Sequence, residues 1–389
     1  MALLQPHEQN FFAGLFHSAN QATAHGVVDQ TTATRLRYWN KWKEFCKRLG
    51  VDPYFKNVAE TSTRVEHLVT FAAYVRKGHA GRGNQVRVGS VQTALCAIGA
   101  TFELDELPNP LYSQQGLGRT YWKRLDRAIN SYKTEDPATS PQLAVPVAIT
   151  EHLVDKGQKP TSSRKTQASC DLCNIAFYYL LRVGEYTFTS SKKRKRTVQF
   201  QLQNITLRKN GQAIPHTAKL QDLLQADEAT LKITNQKNGT KGQCIHNECT
   251  GTKYSPIKSL ARRIAHIMTH GGDKHSLISA FCEKHGNVKQ ITQSVINSTV
   301  KQATSSIGLY KAGYTRNKVS SHSLRAGGAM ALHLNKCNRD TIKKQGRWSS
   351  DTFLMYIHDQ ISAFSKGLSK KMATPISFRN IGGPTLIEP

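Results

Sequence analysis

Three prolines, Pro137, Pro141 and Pro146, with Thr and Ser between them, interrupt a chain that is otherwise rich in helical pattern. A proline has no backbone N–H to donate and pushes the residue before it toward extended conformations. Residues 134–148 are therefore expected to be a linker, with a separately folded body on either side. With 389 residues in all, each body has enough chain to bury its own core. The expected layout is a flexible leader over 1–28, a helical domain over 29–133, the linker, a second domain over 149–372 and a tail over 373–389.

Residues 1–28 are polar and weakly periodic, as suits a leader that is mobile or ordered only by a partner. Beyond them Leu36, Trp39, Trp42, Cys46 and Leu49 recur every three or four positions, and Gly50 follows as a helix stop. Thr63 and Glu66 form a capping-box pattern in the run that carries Val65, Leu68, Val69 and Ala72. Further helices are expected over 90–102 and 119–132, which makes this domain a compact helical bundle.

The second domain opens with a helical pattern over 166–182. Its Leu172, Ile175, Ala176, Tyr179 and Leu180 are apolar around most of the circumference, which marks a central, buried helix. Strand-like runs follow at 198–202, 205–207 and 230–234; Asn238-Gly239 marks a turn and 243–246 a returning paired strand. After Pro256 the pattern is helical again, and no internal repeat is visible.

Lys and Arg outnumber Asp and Glu by 54 to 26, a formal charge of +28. Solubility alone does not require such an excess; it favours a polyanionic partner, nucleic acid first. Eight cysteines without regular spacing argue against a disulfide framework and suit a reducing compartment. Cys170 and Cys173 form a C-x-x-C inside a helical run with no second pair. Cys244, His246 and Cys249 likewise lack a second ligand pair at finger-like spacing, so no metal is expected. No apolar run approaches membrane-spanning length and no basic-then-apolar signal opens the chain, so no membrane partner is expected and the protein should be intracellular.

The residues with the most specific chemistry lie near the C-terminal end. His322 precedes Arg325 by one helical turn, so the two share a helix face. Gly346-Arg347-Trp348 follows, and then Tyr356 within Phe353-Leu354-Met355-Tyr356-Ile357. Upstream, Leu180-Leu181-Arg182-Val183-Gly184-Glu185 ends the apolar helix with a second arginine. A phenol can attack phosphorus and keep the bond energy in a phosphotyrosine, without ATP. Two guanidinium forks can neutralise the charge on a pentavalent phosphorus, and a histidine can bond the phosphate or take the phenolic proton. A lone tyrosine on an apolar helix is ordinarily core, and Arg182 has an ordinary alternative too, pairing with Glu185 or the helix dipole.

Taken together, these strings resemble the tyrosine recombinase (phage-integrase-type) family, most of all the recombinases of eukaryotic mobile elements of the crypton and DIRS kind. The resemblance extends over most of residues 30–372. It implies a mainly α fold with a small β-sheet: an N-terminal helical, SAM-like core-binding domain and a mixed α/β catalytic domain, clamped together on duplex DNA. It implies Tyr356 as nucleophile, Arg182 and Arg325 on the scissile phosphate, His322 beside them and Trp348 donating its indole N–H. A lysine in a β-hairpin turn would protonate the leaving 5′ oxygen; Lys237 is the better match, with Lys241 the alternative. No metal or nucleotide cofactor is implied. Strand exchange would take place in a homo-tetramer on paired sites, with 361–372 docking on a neighbouring subunit.

Two surfaces are expected to follow the DNA backbone. One holds Arg76, Lys77, His79, Arg82, Arg87, Ser90 and Thr93; the other Arg119, Lys123, Arg124 and Arg127. The densest charge run, Lys192-Lys193-Arg194-Lys195-Arg196, suits a DNA-facing loop that also directs nuclear import, and equally a solvated loop. The expected protein is a site-specific recombinase, the integrase or transposase of a mobile element, in the nucleus of a eukaryotic host. The rivals are a type IB topoisomerase-like enzyme and a non-catalytic DNA-binding protein descended from a recombinase.

Overall fold

The computed structural model describes residues 5–26, 29–113, 119–138, 142–190, 197–235, 241–283 and 286–356. The chain divides at 139/140, inside the proline-rich segment, into two compact units. Both are mainly helical and the second carries a small antiparallel sheet, as the sequence led one to expect. Among the described residues no helix is long and apolar enough to cross a membrane.

The expected leader is instead helical. Helix α1 spans Pro6–His25: Pro6 presets the first turn, and Glu8 accepts the Gln5 N–H at 3.0 Å. Helix α2 (Asp29–Leu49) turns Trp39, Trp42, Phe45 and Cys46 inward, while Leu36 and Leu49 overrun the stripe into solvent. Helix α3 (Thr61–Arg76) begins before the expected capping box: Glu60 is its N-cap, and the Thr63 hydroxyl bonds Glu60 instead of pairing with Glu66. Helix α4 spans Val88–Leu104. The helix expected over 119–132 starts later, because β2 (Thr120–Tyr121) pairs with β1 (Tyr112–Ser113) and α5 runs only from Lys123 to Glu135. Trp122, at the N-cap of α5, donates its indole N–H to the Pro110 carbonyl at 2.9 Å.

One arginine ties this unit together. Arg76, at the end of α3, is buried against Glu135, the last residue of α5, and Asp136, its C-cap, and donates to the Val86 carbonyl. Asp136 also accepts the first N–H of α4, from Val88, at 2.8 Å. Arg76 was expected on DNA; it belongs to the bundle's interior, since a buried guanidinium needs the carboxylates that hold it.

In the second unit the end of the expected linker is core. Ala144 and Val145 are buried, the Leu143 N–H donates to the Lys318 carbonyl at 2.8 Å and the Val145 N–H to the Ser323 carbonyl at 3.2 Å. Helix α6 (Val147–Gln158) follows, and then α7 (Arg164–Tyr178), whose residues from Ala168 to Phe177 are all buried. Ser163 caps α7, accepting the Thr166 N–H at 3.1 Å. The short α8 (Val183–Tyr186) comes next.

A four-stranded antiparallel sheet of order β4-β3-β5-β6 is built from β3 (Ile205–Lys209), β4 (Gln212–Ile214), β5 (Glu228–Lys232) and β6 (Cys244–Glu248), with the one-turn helix α9 (Leu220–Leu223) between β4 and β5. The expected β5–β6 hairpin is present, with Lys232 opposite Cys244; its turn, 236–240, lies outside the described residues. The run 198–202 is not a strand; Phe200 bridges Glu185 and Ile278 through its backbone and a 3-10 turn begins at Leu202. Helix α10 (Pro256–Thr269) leads to an unforeseen hairpin of β7 (Ala280–Cys282) and β8 (Val288–Gln290). Helices α11 (Gln293–Ser306), α12 (Ser321–Leu334) and α13 (Arg339–Gly346) and a 3-10 segment, Asp351–Tyr356, follow. Helix α7 is the hub, packed against α6, α10, α11 and α12.

The contact between α12 and α7 has no room for a side chain at two positions. A methyl on Gly327 would collide with the Val145 carbonyl, and one on Gly328 with the Phe177 carbonyl and the Leu180 side chain. Gly328→Ala should destabilise the protein by about 3 kcal/mol, at the high end for overpacking because backbone cannot yield, as read by urea unfolding. The Arg76–Asp136 pair has its own signature. Its guanidinium holds the Asp136 carboxyl below the ordinary carboxylate range, so the pair's contribution is full above that range and lost as pH falls through the depressed value. Asp136→Asn should therefore destabilise at about pH 7 and converge on the wild type as pH falls below the depressed value, by the same assay.

Candidate active site

Ser320 opens α12, its side chain accepting the His322 N–H at 3.2 Å, while Ser323 accepts the Ser320 N–H at 3.1 Å. These caps fix where the helix begins and hence which residues share a face. His322 lies at the exposed first turn; Arg325, one turn on, is buried at 2% exposure. Because Gly327 and Gly328 let α12 lie directly on the end of α7, the Arg325 guanidinium reaches the Leu180 carbonyl, and it also donates to the Gly346 carbonyl. Trp348 lies 4.3 Å from that guanidinium in a cation–π contact, its ring packed over Gly346.

Leu180 has a left-handed backbone (φ 47°), as does Arg347 (φ 57°). Such conformations cost a β-carbon-bearing residue about 1 kcal/mol or more. At Leu180 the turn swings the chain out of α7, so that Arg182 becomes the N-cap of α8 rather than the helix-end residue read from sequence. Glu185, 1% exposed, accepts the Arg182 backbone N–H at 2.8 Å and its Nη1 at 3.4 Å. It also accepts Arg347 Nη2 at 2.8 Å. Arg347 donates further to the carbonyls of Tyr179 and Leu180. Arg325 and Arg347 thus share the Leu180 carbonyl, and Arg347 and Arg182 share Glu185, three guanidiniums with one carboxylate among them.

Within this cluster the Arg182 side chain is 22% exposed and that of Arg347 2%. Arg182 stands at the rim and Arg325 is buried; both had been expected to hold the non-bridging oxygens of a scissile phosphate. Arg347 and Glu185 complete the cluster; Arg347 was read only as part of a string, and Glu185 only as an ordinary partner for Arg182. The one hint was chemical: a carboxylate closing so apolar a helix needs positive charge nearby.

A cleft of about 570 Å3 adjoins the cluster, lined by Gln243, Asp340, Lys343, Lys344, Arg347, Trp348 and Ser349. Gln243 brings the base of the β5–β6 hairpin to the same cleft, two residues from the exposed Lys241. Lys237 lies outside the described residues, as do 192–196, with their run Lys192 to Arg196, and the segment after Tyr356. Tyr356 ends the 3-10 segment, one turn after Phe353, which is buried against Ala326, Met330 and Trp348; the placement of its phenol lies outside the description. In the first unit Lys77, His79, Arg82, Arg87, Thr93, Arg119, Lys123, Arg124 and Arg127 are exposed and Ser90 half-buried. Arg119 pairs with Glu103 at 3.1 Å and Arg124 with Glu66 at 3.8 Å. Such exposed pairs are worth little and yield readily to a phosphate.

Among the described residues no group of three or more His, Cys, Asp and Glu side chains is placed to hold a metal ion. His246 bonds the Thr230 hydroxyl at 2.8 Å. Cys170 and Cys173 are buried inside α7, and burial pushes the Cys170 thiol up to about 12, far from a reactive thiolate.

Neither a protein-family model nor a curated protein matches this sequence. Solved structures do overlap with it. XerH site-specific recombinase bound to palindromic difH substrate, a post-cleavage complex, is 16% identical over 82% of this chain and 74% of that one, with a TM-score of 0.48. The Tn1549 transposon integrase in complex with circular intermediate DNA is 14% identical over 90% and 97%, TM-score 0.47. A lambda integrase dimer bound to a COC′ core site is 11% identical over 90% and 96%, TM-score 0.45.

Partial burial of the His322 imidazole and then the Arg325 charge hold its pKa below the ordinary value. His322 is therefore neutral at about pH 7 and able to accept a proton. In an NMR titration it should have a midpoint below that of a free imidazole, and Arg325→Met should move the midpoint upward.

Proposed function

We propose that this protein is a site-specific DNA recombinase that cuts and rejoins duplex DNA through a covalent phosphotyrosine. The observation that carries the reading is the arginine cluster: positive charge concentrated beneath a surface rim, next to a basic cleft, in a chain of formal charge +28. Cations gathered at such close quarters suit an anion, and a phosphodiester presents one.

In this scheme Arg182 at the rim takes a non-bridging oxygen of the scissile phosphate. Arg325, already fixed by two carbonyls and the Trp348 ring, adds charge from below without having to reorganise. The Tyr356 oxygen bonds to phosphorus as the P–O5′ bond breaks. Its proton passes to the neutral His322, and the leaving 5′ oxygen takes one from Lys237 or Lys241. The 5′ hydroxyl of a partner strand then reverses the step and releases the tyrosine. The bond energy is held in the phosphotyrosine throughout, so no nucleotide is consumed.

Exchange between two sites calls for four active tyrosines, so a homo-tetramer on paired DNA sites goes with this reading. The integrase or transposase of a mobile element is its natural setting, and the nucleus its place in a eukaryotic host. The exposed basic residues of the first unit would follow the backbone, with affinity that falls steeply with salt. That division of labour, a binding unit and a cutting unit with a proline-rich join, is the domain layout this function needs.

The test is a nicked suicide duplex built from the ends of the protein's own element, followed by denaturing electrophoresis. An SDS-resistant protein–DNA adduct is expected, absent in Tyr356→Phe and formed on the order of a hundredfold more slowly in Arg182→Lys or Arg325→Lys. An adduct that forms on any duplex and only relaxes supercoils would indicate a topoisomerase. Tight binding to the cleavable site with no adduct would reduce the protein to a DNA-binding one, and an adduct persisting in Tyr356→Phe would mean another nucleophile.

A further inference from the structure

Arg347 has no part in the reaction just described, yet it is the more deeply buried of the two guanidiniums that pair with Glu185. It donates to the Glu185 Oε2 at 2.8 Å, and Arg182 Nη1 reaches Oε1 at 3.4 Å. A buried carboxylate draws the nearest cation into a close pair, because desolvation leaves it little else. With Arg182 as its only counter-ion, Glu185 would pull that guanidinium inward and cancel its charge. Arg347 supplies the countercharge from the core side, and the Arg182 side chain remains 22% exposed at the longer distance. The left-handed backbone at Arg347 is what turns its side chain back under α8, bracing it on the carbonyls of Tyr179 and Leu180.

We propose that Arg347 is a positioning residue for the anion site: it neutralises Glu185 from beneath and so keeps the charge of Arg182 directed at an incoming phosphate. The inference rests on reading the cluster as a phosphate site; it does not require the covalent chemistry. Arg347 touches no substrate and acts through Glu185. Removing its charge should therefore be partly repaired by removing the carboxylate as well, since Glu185 then no longer pulls Arg182 inward.

The experiment measures how inorganic phosphate raises the thermal unfolding midpoint of the full chain, at constant ionic strength in chloride, with Arg182→Ala defining the part that belongs to this site. Arg347→Met should lower that phosphate affinity about tenfold, as expected for a charge redirected rather than lost. Arg347→Met with Glu185→Gln should recover at least about threefold of it, because the amide oxygen still accepts the Arg182 N–H while the negative charge is gone. Arg347→Lys, which keeps the charge and gives up the fork, should stay within about threefold of wild type. Adduct formation rates should follow the same order.

A double variant no better than Arg347→Met, or an Arg347→Lys protein as weak as Arg347→Met, would overturn the inference and leave Arg347 as a brace for the α7–α8 turn. The lysine comparison with wild type decides the matter even if Arg347→Met does not fold. The phosphate pattern without any adduct would sink the recombinase reading while sustaining the role of Arg347. Phosphate binding unaltered by Arg182→Ala would remove both.

Discussion

A carboxylate at 1% exposure has to be matched by positive charge, and Glu185 is matched by Arg347 at 2.8 Å and Arg182 at 3.4 Å. Taking each ion out of water costs several kcal/mol, so neither Glu185 nor Arg347, both buried, can be withdrawn without leaving the other's charge unmatched in the core. That requirement joins segments far apart in the chain: the turn after α7, the one-turn helix α8 and the residue that terminates α13. Two of the joints are bent into left-handed conformations, at Leu180 and Arg347, whose cost the ion pairs and carbonyl contacts offset.

The cluster also depends on the close approach of α12 to α7. Gly327 and Gly328 leave nothing between the α12 backbone and the end of α7, so Arg325 arrives at the Leu180 carbonyl already oriented. A donor held in place before substrate arrives pays its reorganisation during folding rather than during reaction. Trp348 then lies over Arg325 and against Phe353, carrying the same order forward to the 3-10 segment that ends at Tyr356. Arginine plays a different part in the first unit. Arg76 gathers the ends of α3 and α5 and the start of α4 around Asp136, next to a loop whose Arg82 and Arg87 face solvent. The same residue type is a tie in one place and an exposed cation a few positions later.

Much of the fold was legible because it obeys short-range rules. The apolar recurrence that marked α2 and the all-round apolarity that marked α7 both follow from helical geometry. The β5–β6 hairpin was visible from its alternating runs. What failed to show were elements too short to carry a period: β1 and β2, and the β7–β8 hairpin. Residues 198–202 have strand-like composition, but Phe200 spends its backbone on Glu185 and Ile278, a choice made by distant partners. The end of the proline-rich segment looked like solvent-exposed linker; Ala144 and Val145 are buried because Leu143 and Val145 hydrogen-bond alongside α12.

By itself, then, the amino-acid sequence determined the mainly helical character of the fold with its small sheet, the excess of positive charge and the residue types capable of phosphoryl chemistry. These are properties of composition and local spacing, and they survive without knowledge of any partner. Which arginines face outward was decided only in three dimensions. Arg76, Arg182, Arg325 and Arg347 read alike along the chain, yet one is a structural tie, one stands at the rim, one lies beneath it and one faces a carboxylate from the core. A guanidinium's role is set by what neutralises it, and the neutralising groups, Asp136, Glu185 and the carbonyls of Leu180 and Gly346, are brought there by packing between distant segments.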